Sequence, residues 1–304
     1  MKIDTVELVA QLADVVDGKI QTDMPLAPFT SYKIGGPTAV WVAPNSETDV
    51  GHTLEIIYEN KVPLFILGRG SNILVSDKGW DGVTLYLGEN LSGWSFQNRR
   101  ANVLAGTLLM DLVSEVVKKG LGGLELMAGI PGSVGGALRM NAGAFGQEIE
   151  QVNVSVSGFK NNGTPFGAER HEINFNYRRV PELENVAITS AQFQFIDEDA
   201  RDLKRRMEDV IALRARKQPL NYPSCGSVFK RPPGYYAGAL IEESGLKGKR
   251  IGGAEISRKH AGFILNTDKA KAVDVYGLIR CIETEVRDRF GVQLEREVKL
   301  IGKF

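Results

Sequence analysis

The sequence predicts an α/β or α+β protein with roughly two domains. Its 304 residues exceed the usual size of one domain, and 43% of them are apolar, enough to bury a sizeable core. Near the N-terminus, strand and helix patterns alternate, which is typical of both fold classes. A charged helical stretch, Asp197–Arg216, then precedes a C-terminal part, and we interpret this stretch as a boundary between domains.

Apolar periodicity and turn residues predict the individual elements. In the first half the patterns predict, in chain order, a helix over Val6–Val16, a strand at Ala39–Val42, a helix at Glu47–Tyr58, strands at Lys61–Leu67 and Val83–Leu87, and a helix capped by Thr107 and ended by Gly120. In the second half they predict strands at Val152–Gly158, His171–Phe175 and Asn185–Phe195, a helix through Val275–Phe290 that ends at Gly291, and a last strand at Leu294–Ile301.

Charge and cysteine content exclude several classes of function. Lys plus Arg and Asp plus Glu number 37 each, so no net charge attracts nucleic acid or an anionic membrane. Two cysteines, Cys225 and Cys281, are too few for a disulfide framework, and no Cys/His cluster indicates a metal site. The first residues carry acids among apolar residues, unlike a signal peptide, and no apolar run is long enough to span a bilayer. We therefore expect a cytoplasmic protein without nucleic-acid or membrane partners.

Two glycine-rich segments are the candidate functional loops. The first, L-G-R-G-S-N-I-L-V at Leu67–Val75, interrupts two apolar runs with residues that favour a tight turn. The second, Ala128–Gly146, contains six glycines interleaved with apolar residues. Neither has the Rossmann or P-loop pattern. Each is either a tight structural turn or a loop whose backbone N–H groups hold a phosphate-bearing ligand.

Together with later motifs, these loops resemble those of the UDP-N-acetylenolpyruvoylglucosamine reductases. The resemblance extends from about residue 27 to the C-terminus. It rests on an ordered set of segments: T-S-Y-K-I-G-G-P (Thr30–Pro37), the first glycine loop, A-G-I-P-G-S-V-G-G-A, N-A-G-A-F-G, N-Y-R (Asn176–Arg178), P-S-C-G-S-V-F-K-R-P (Pro223–Pro232), L-I-E-E-S-G-L-K-G (Leu240–Gly248), K-H-A-G-F (Lys259–Phe263) and L-E-R-E-V (Leu294–Val298).

The resemblance implies an α+β fold with a non-covalent FAD. The FAD-binding domain would be of the vanillyl-alcohol-oxidase (PCMH) type, with α+β subdomains at residues 1–75 and 76–212. An α/β substrate-binding domain at 213–304 would follow, and its last strand would return toward the flavin. The implied FAD contacts are Tyr32, Gly68, Arg69, Gly70, Ser71, Asn72, Gly129, Pro131, Gly132, Ser133, Gly135, Gly136, Asn141, Ala142 and Gly143.

The implied reaction reduces UDP-N-acetylglucosamine enolpyruvate to UDP-N-acetylmuramate, a precursor of bacterial peptidoglycan. NADPH would reduce the flavin, whose N5 would pass a hydride to the enolpyruvyl methylene carbon. By motif position, Arg178 would stabilise the charge on the substrate carboxylate, Ser227 would protonate the α-carbon and Glu297 would orient the carboxylate. The implied substrate-binding residues, mostly cations suited to a diphosphate and a carboxylate, are Arg214, Lys217, Lys230, His260 and Lys299.

The sequence departs from the family pattern in two places. Val180 replaces a serine that relatives place two residues after the arginine of N-Y-R. No insertion carries the tyrosine loop of some members, so the chain resembles the shorter subtype. Two alternatives stay open: another flavoprotein oxidase or oxidoreductase of the same superfamily, and a non-catalytic regulator that binds a UDP-sugar. We expect a monomer.

Overall fold

The computed structural model describes residues 4–304 and divides the chain into two units. Unit 1 comprises residues 4–24, Ala39–Arg69 and Gly82–Leu213. Unit 2 comprises Pro25–Thr38, Gly70–Asp81 and Arg214–Phe304. Each unit therefore combines segments that are distant in sequence. The division into three domains remains a prediction.

Seven α-helices and eighteen strands are present in the part of the chain that is described. The helices are α1 (Thr5–Ala13), α2 (Glu47–Glu59), α3 (Leu109–Lys118), α4 (Val134–Arg139), α5 (Ala200–Lys217), α6 (Ala237–Glu243) and α7 (Ala272–Phe290). The strands are β1 (Gly18–Pro25), β2 (Pro37–Pro44), β3 (Leu64–Leu67), β4 (Ile73–Val75), β5 (Trp80–Tyr86), β6 (Trp94–Gln97), β7 (Arg100–Leu104), β8 (Leu121–Gly122), β9 (Gly143–Ala144), β10 (Gln147–Glu148), β11 (Asn153–Lys160), β12 (Pro165–Glu169), β13 (Val186–Gln194), β14 (Ile196–Asp197), β15 (Arg250–Ile251), β16 (Ala254–Ile256), β17 (Ile264–Asn266) and β18 (Lys299–Ile301).

Unit 1 contains two larger sheets. The first has the order β1-β2-β5-β3, and β3 runs parallel to β5. Its apolar residues share a core with α1 and α2 because both helices bury one face. The second sheet is antiparallel, with the order β12-β11-β13-β7-β6, and it shares a core with α3 and α4. The second glycine-rich segment belongs to this core.

Unit 2 is built around α7. The antiparallel sheet β15-β16-β17 and the buried face of α7 form its core, which also includes Cys225, Val228 and Phe229. Gly291 ends α7 with φ 67°, a left-handed conformation that glycine adopts without steric cost. The final strand, β18, runs parallel to β4, and β4 is the end of the first glycine-rich segment. No helix within residues 4–304 combines the length and apolar character needed to cross a bilayer.

Most predicted elements are confirmed, but three predictions were wrong. Residues 171–175 do not form a strand, because Glu172 accepts the N–H of Glu169 and closes a 3₁₀ turn at Arg170–Glu172. Thr107 does not cap α3, because its hydroxyl bonds both backbone groups of Gly93. The last strand is shorter than predicted, since only β18 is regular.

Candidate active site

The first glycine-rich loop follows β3 and turns on Gly70. This residue has φ 60°, and a Cβ at this position would lie 2.2 Å from the carbonyl oxygen of Phe29. Ser31 N–H also donates to the Gly70 carbonyl at 3.0 Å. The turn therefore packs directly on the backbone of the T-S-Y-K-I-G-G-P segment, and only glycine fits there.

The two glycine-rich segments meet within unit 1. A Cβ at Gly68 would lie 2.6 Å from the hydroxyl oxygen of Ser133. Ser133 caps α4, since its hydroxyl accepts the N–H of Gly136 at 3.3 Å. This helix was not predicted within the second segment. Gly129 and Gly132 have φ values of 76° and 127°, so the loop before α4 requires glycine at both positions.

Arg178 is anchored to the second segment by backbone contacts. Its guanidinium donates to the carbonyls of Asn141 and Gly143, at 3.1 and 2.8 Å. It also lies 3.9 Å from a carboxylate oxygen of Glu148 and 4.9 Å from the ring centre of Tyr177. These contacts hold one positive charge beside the N-A-G-A-F-G turn of unit 1.

The Ser227 segment lies between two other segments of unit 2. The Val228 N–H donates to the carbonyl of Gly262 in one neighbouring segment, at 2.9 Å. The Val228 carbonyl accepts the N–H of Glu297 in the other, at 2.8 Å. Lys230 N–H bonds the Glu295 carbonyl at 2.9 Å. The chain thus brings Ser227 and Glu297 onto neighbouring, mutually bonded segments.

Comparison with known proteins identifies the family. Residues 38–165 match the protein family described as an FAD binding domain. Residues 218–301 match the family described as the UDP-N-acetylenolpyruvoylglucosamine reductase C-terminal domain. A reductase of that name from Clostridium novyi is 40% identical over 99% of this chain and 98% of its own. One from Listeria monocytogenes is 42% identical over 93% of this chain and 95% of its own. The chain belongs to the UDP-N-acetylenolpyruvoylglucosamine reductase family.

Solved structures agree with this assignment. The reductase from Thermus caldophilus superposes with a TM-score of 0.77 at 32% identity, covering 94% of this chain and all of that one. A berberine bridge enzyme variant, at 13% identity and a TM-score of 0.50, covers 64% of this chain and 44% of its own length, and it shares the fold alone. The expected family, the PCMH-type fold and the FAD cofactor are confirmed, and the chain is an FAD-dependent oxidoreductase.

Residues of unit 1 fit the FAD that the family implies. Asn141 is 1% exposed, and its side-chain carbonyl oxygen is buried without a hydrogen-bond partner, while its Nδ2 donates to Glu148 at 2.9 Å. The Nε of Arg69 is also buried without a partner. An unsatisfied buried polar atom costs about 1–3 kcal/mol. A ligand with both donors and acceptors, such as a flavin nucleotide, removes this cost.

Within unit 2, Asn72 connects the first glycine-rich loop to the Glu297 segment. Its Nδ2 donates to the Glu297 carbonyl at 3.1 Å, and its own carbonyl accepts Lys299 N–H at 3.0 Å. Lys230 pairs with Glu295 at 2.6 Å, and the lysine side chain is only 11% exposed. The Glu295 side chain is 72% exposed, whereas Glu297 is half-buried.

Tyr32 forms a buried contact with Cys225, which precedes Ser227 by two residues. Both belong to the core of unit 2, and the Tyr32 hydroxyl lies against the Cys225 thiol. Burial, and secondarily the charge of Glu297, raise the pKa of Cys225 to about 12. Burial likewise raises the pKa of Tyr32 well above its ordinary value. Neither group carries charge at neutral pH.

The remaining predicted substrate-binding residues lie in different elements of unit 2. Arg214 and Lys217 are on the last turn of α5, where Arg214 is half-buried and Lys217 exposed. Burial lowers the pKa of the Arg214 guanidinium. Lys299 is exposed on β18, and His260 is half-buried in the turn beside the Ser227 segment. Val180, where relatives have serine, is fully buried in the core of unit 1.

Sequence reasoning missed Glu148 as a member of the candidate site. This carboxylate contacts both Arg178 and Asn141 and thereby links two motifs that are 37 residues apart. Its spacing from either partner follows no local period. Only the fold could identify it, because the β9–β10 hairpin places it opposite Gly143.

Proposed function

We propose that this chain reduces UDP-N-acetylglucosamine enolpyruvate to UDP-N-acetylmuramate with NADPH. The observation that carries the proposal is the arrangement of the Ser227 segment, which backbone hydrogen bonds hold against both Gly262 and Glu297. This arrangement supplies a hydroxyl and a carboxylate on a rigid frame. A hydride acceptor whose α-carbon must then be protonated needs such groups at fixed positions.

FAD, when bound, accepts a hydride from NADPH and delivers it to the substrate. We propose that the protein holds it through the two glycine-rich segments. In unit 1 the residues are Gly68, Arg69, the Gly129–Gly136 loop and the Asn141–Gly143 turn, which offer backbone N–H groups and the buried Asn141 carbonyl. In unit 2 they are Tyr32, Gly70, Ser71 and Asn72.

Three side chains have distinct proposed roles toward the substrate. Arg178 stabilises the negative charge that develops on the enolpyruvyl carboxylate, because its guanidinium is already oriented by two backbone carbonyls. The Ser227 hydroxyl donates a proton to the α-carbon. Glu297 orients the carboxylate, and the backbone bonds of its segment to Val228 and Asn72 limit its movement.

The cations of unit 2 suit a nucleotide sugar. We propose that Arg214, Lys217, Lys230 and Lys299 bind the diphosphate and carboxylate, with His260 as a further polar residue of the pocket. The reaction uses NADPH and a UDP-sugar, so the proposal extends to a cytoplasmic enzyme. It also extends to a monomer. The proposal includes no nucleic-acid or membrane partner, because 37 cationic and 37 acidic residues leave no net charge to attract one.

Steady-state assays test this proposal directly. NADPH oxidation at 340 nm should depend on UDP-N-acetylglucosamine enolpyruvate, and the product should be heavier than the substrate by two hydrogens. In deuterium oxide, one solvent deuterium should appear at the α-carbon. NADPH oxidation that needs oxygen but not the enolpyruvyl sugar would instead indicate an oxidase. Tight UDP-sugar binding by a protein that takes up no flavin would indicate a regulator.

A further inference from the structure

The turn at Ser257–Phe263 is the segment on which the Ser227 backbone rests. Ser227 pairs with Phe263, and Val228 N–H donates to the Gly262 carbonyl at 2.9 Å. Any change in the path of this turn therefore moves the backbone that carries the proposed proton donor. What fixes the turn also fixes Ser227.

Hydrogen bonds at both ends of the turn define its shape. At its start, the Ser257 hydroxyl accepts the N–H groups of Lys259 and His260, at 3.1 and 3.2 Å. At its end, Ser257 N–H donates to the Phe263 carbonyl, and Phe263 N–H donates to the His260 carbonyl. Within the turn, the N–H of Gly262 donates to the imidazole Nδ1 of His260 at 3.2 Å.

The His260 ring and the Ser227 hydroxyl both lie beside Gly262. A Cβ placed on Gly262 would lie 3.2 Å from Nδ1 of His260 and 3.8 Å from Oγ of Ser227. The ring also packs edge-on against Phe263, with 4.9 Å between ring centres, and a Cβ placed on Gly238 of α6 would lie 3.4 Å from its Cε1. Imidazole and hydroxyl therefore both adjoin the same glycine, and that buried glycine's N–H needs an acceptor.

We propose that His260 is a positioning residue for Ser227, acting through the bond from Gly262 N–H to its Nδ1. This role goes beyond contact with substrate, and it rests on the proposed function of Ser227. An N–H that donates to Nδ1 requires this nitrogen to be unprotonated, so the proton of the neutral ring resides on Nε2. Protonation of the ring removes the acceptor and releases the turn.

The surroundings of His260 favour the neutral ring. Burial lowers its pKa below the ordinary 6.5 and outweighs a hydrogen bond to its own backbone, which raises the pKa; the ammonium of Lys247 lowers it further, while the carboxylate of Glu242 raises it. Lys247 and Glu242 are paired at 2.5 Å, which limits the net field of the two groups. The acceptor is therefore retained at neutral pH and lost only in acid.

Asparagine and glutamine variants separate positioning from direct substrate contact. The amide oxygen of asparagine can occupy the place of Nδ1, whereas the longer glutamine reproduces Nε2 instead. We expect His260→Ala to slow enolpyruvyl-dependent flavin reoxidation about tenfold, the cost of one lost bond to a buried group. His260→Asn should recover most of the rate and His260→Gln should not. His171→Ala, at an exposed histidine in the 3₁₀ turn of unit 1, serves as the matched control.

Two further readouts make the inference falsifiable even if the alanine variant folds poorly. Hydrogen exchange of the holoenzyme should show residues 257–263 protected in the parent and His260→Asn, but not in His260→Gln. The parent's acid limb of reoxidation, with an apparent pKa below 6.5, should vanish in His260→Asn. Rescue by Gln alone, equal exchange in both variants, or an unchanged acid limb would each overturn the inference. A parent that never reoxidises with the enolpyruvyl sugar would instead refute the proposed function.

Discussion

Arg178 adopts a backbone conformation that is unfavourable for arginine. Its φ is 55°, and a residue with a Cβ loses about 1–2 kcal/mol in the left-handed region. Its two hydrogen bonds to the carbonyls of Asn141 and Gly143 compensate for this cost. Strain of this kind is typical of functional residues, because the surrounding structure must impose it.

Replacing Arg178 with lysine should therefore keep the charge and lose the geometry. A single ammonium cannot bond both carbonyls and remain oriented, so we expect enolpyruvyl reduction to fall on the order of 10²-fold. Flavin reduction by NADPH should change less. Arg179→Lys is the matched control, since Arg179 is 60% exposed and pairs with Glu184. Equal effects of the two substitutions on the second half-reaction would contradict the role of Arg178.

Of the two cysteines, Cys225 should react more slowly with thiol reagents. Burial and the nearby Glu297 raise its pKa to about 12, so almost no thiolate exists at neutral pH. Cys281 is half-buried on α7. We expect a thiol reagent to modify one cysteine of the native protein quickly and the second at least about 100-fold more slowly. Cys281→Ser should abolish the fast phase, and a fast phase that survives this substitution would refute the assignment.

At the scale of elements, the turn at Gly70 depends on the absence of a side chain. Alanine there would need both a left-handed backbone and a Cβ 2.2 Å from the Phe29 carbonyl. We expect Gly70→Ala to destabilise the protein by about 2–5 kcal/mol and to reduce its FAD content. Gly245→Ala is the control, because Gly245 has φ 73° but open space around it. Its expected cost is about 1–2 kcal/mol, from the backbone alone.

Urea unfolding and the flavin-to-protein absorbance ratio measure both effects. Equal losses of stability in the two variants would show that the close approach to Phe29 contributes nothing. Full FAD content in Gly70→Ala would separate the loop from flavin binding.

The buried carboxylate of Glu125, just before the second glycine-rich segment, pairs with an arginine of α5. Glu125 is 5% exposed, accepts Gly123 N–H at 2.9 Å and pairs with Arg206 at 3.1 Å. Burial alone raises its pKa, but hydrogen bonds from Gly123 and Gln147 and the charge of Arg206 outweigh it. The pKa of Glu125 is therefore lowered from its ordinary 4.5.

The lowered pKa predicts a defined pH dependence of stability. The unfolded chain binds the proton more readily, so the contribution of Glu125 is complete above about pH 4.5 and is lost as the pH falls through the folded-state pKa. Glu125→Gln should cost about 1–3 kcal/mol at pH 7, and less in acid. Glu115→Gln, which breaks a partly exposed pair with Lys119 one helical turn away, should cost under about 0.5 kcal/mol. Urea midpoints at pH 7 and pH 3 check both, and a difference that is independent of pH would contradict the account.

The elements that the sequence predicted well are those with strong internal periodicity. The helix α7 buries one face and the strand β13 buries most of its residues, and their apolar patterns show it. The strand predicted at His171–Phe175 is absent because the Glu172 side chain accepts a nearby backbone N–H and closes a turn. The predicted cap at Thr107 is absent because its hydroxyl donates to the carbonyl of Gly93, which is distant in sequence. The helix α4 was missed because glycines hide its period, although Ser133 caps it.

At the scale of the whole molecule, the sequence identified the motifs but not their contacts. The resemblance named both glycine segments, yet their meeting at Gly68 and Ser133 depends on pairings far apart in sequence. The same is true of Asn72, which bonds the Glu297 segment 225 residues away. Local patterns carry no information on such contacts. The roles of Arg178, Ser227 and Glu297 remain predictions that kinetics must test.

We propose that flavin reduction and proton delivery to the substrate use different residues of one enzyme. Anaerobic double-mixing stopped flow on the purified holoenzyme tests it most directly. NADPH should bleach the flavin, and UDP-N-acetylglucosamine enolpyruvate should then restore the oxidised spectrum. Ser227→Ala should bleach normally and fail to reoxidise. Reoxidation of this variant at the parent's rate would contradict the account, as would a parent flavin that only oxygen can reoxidise.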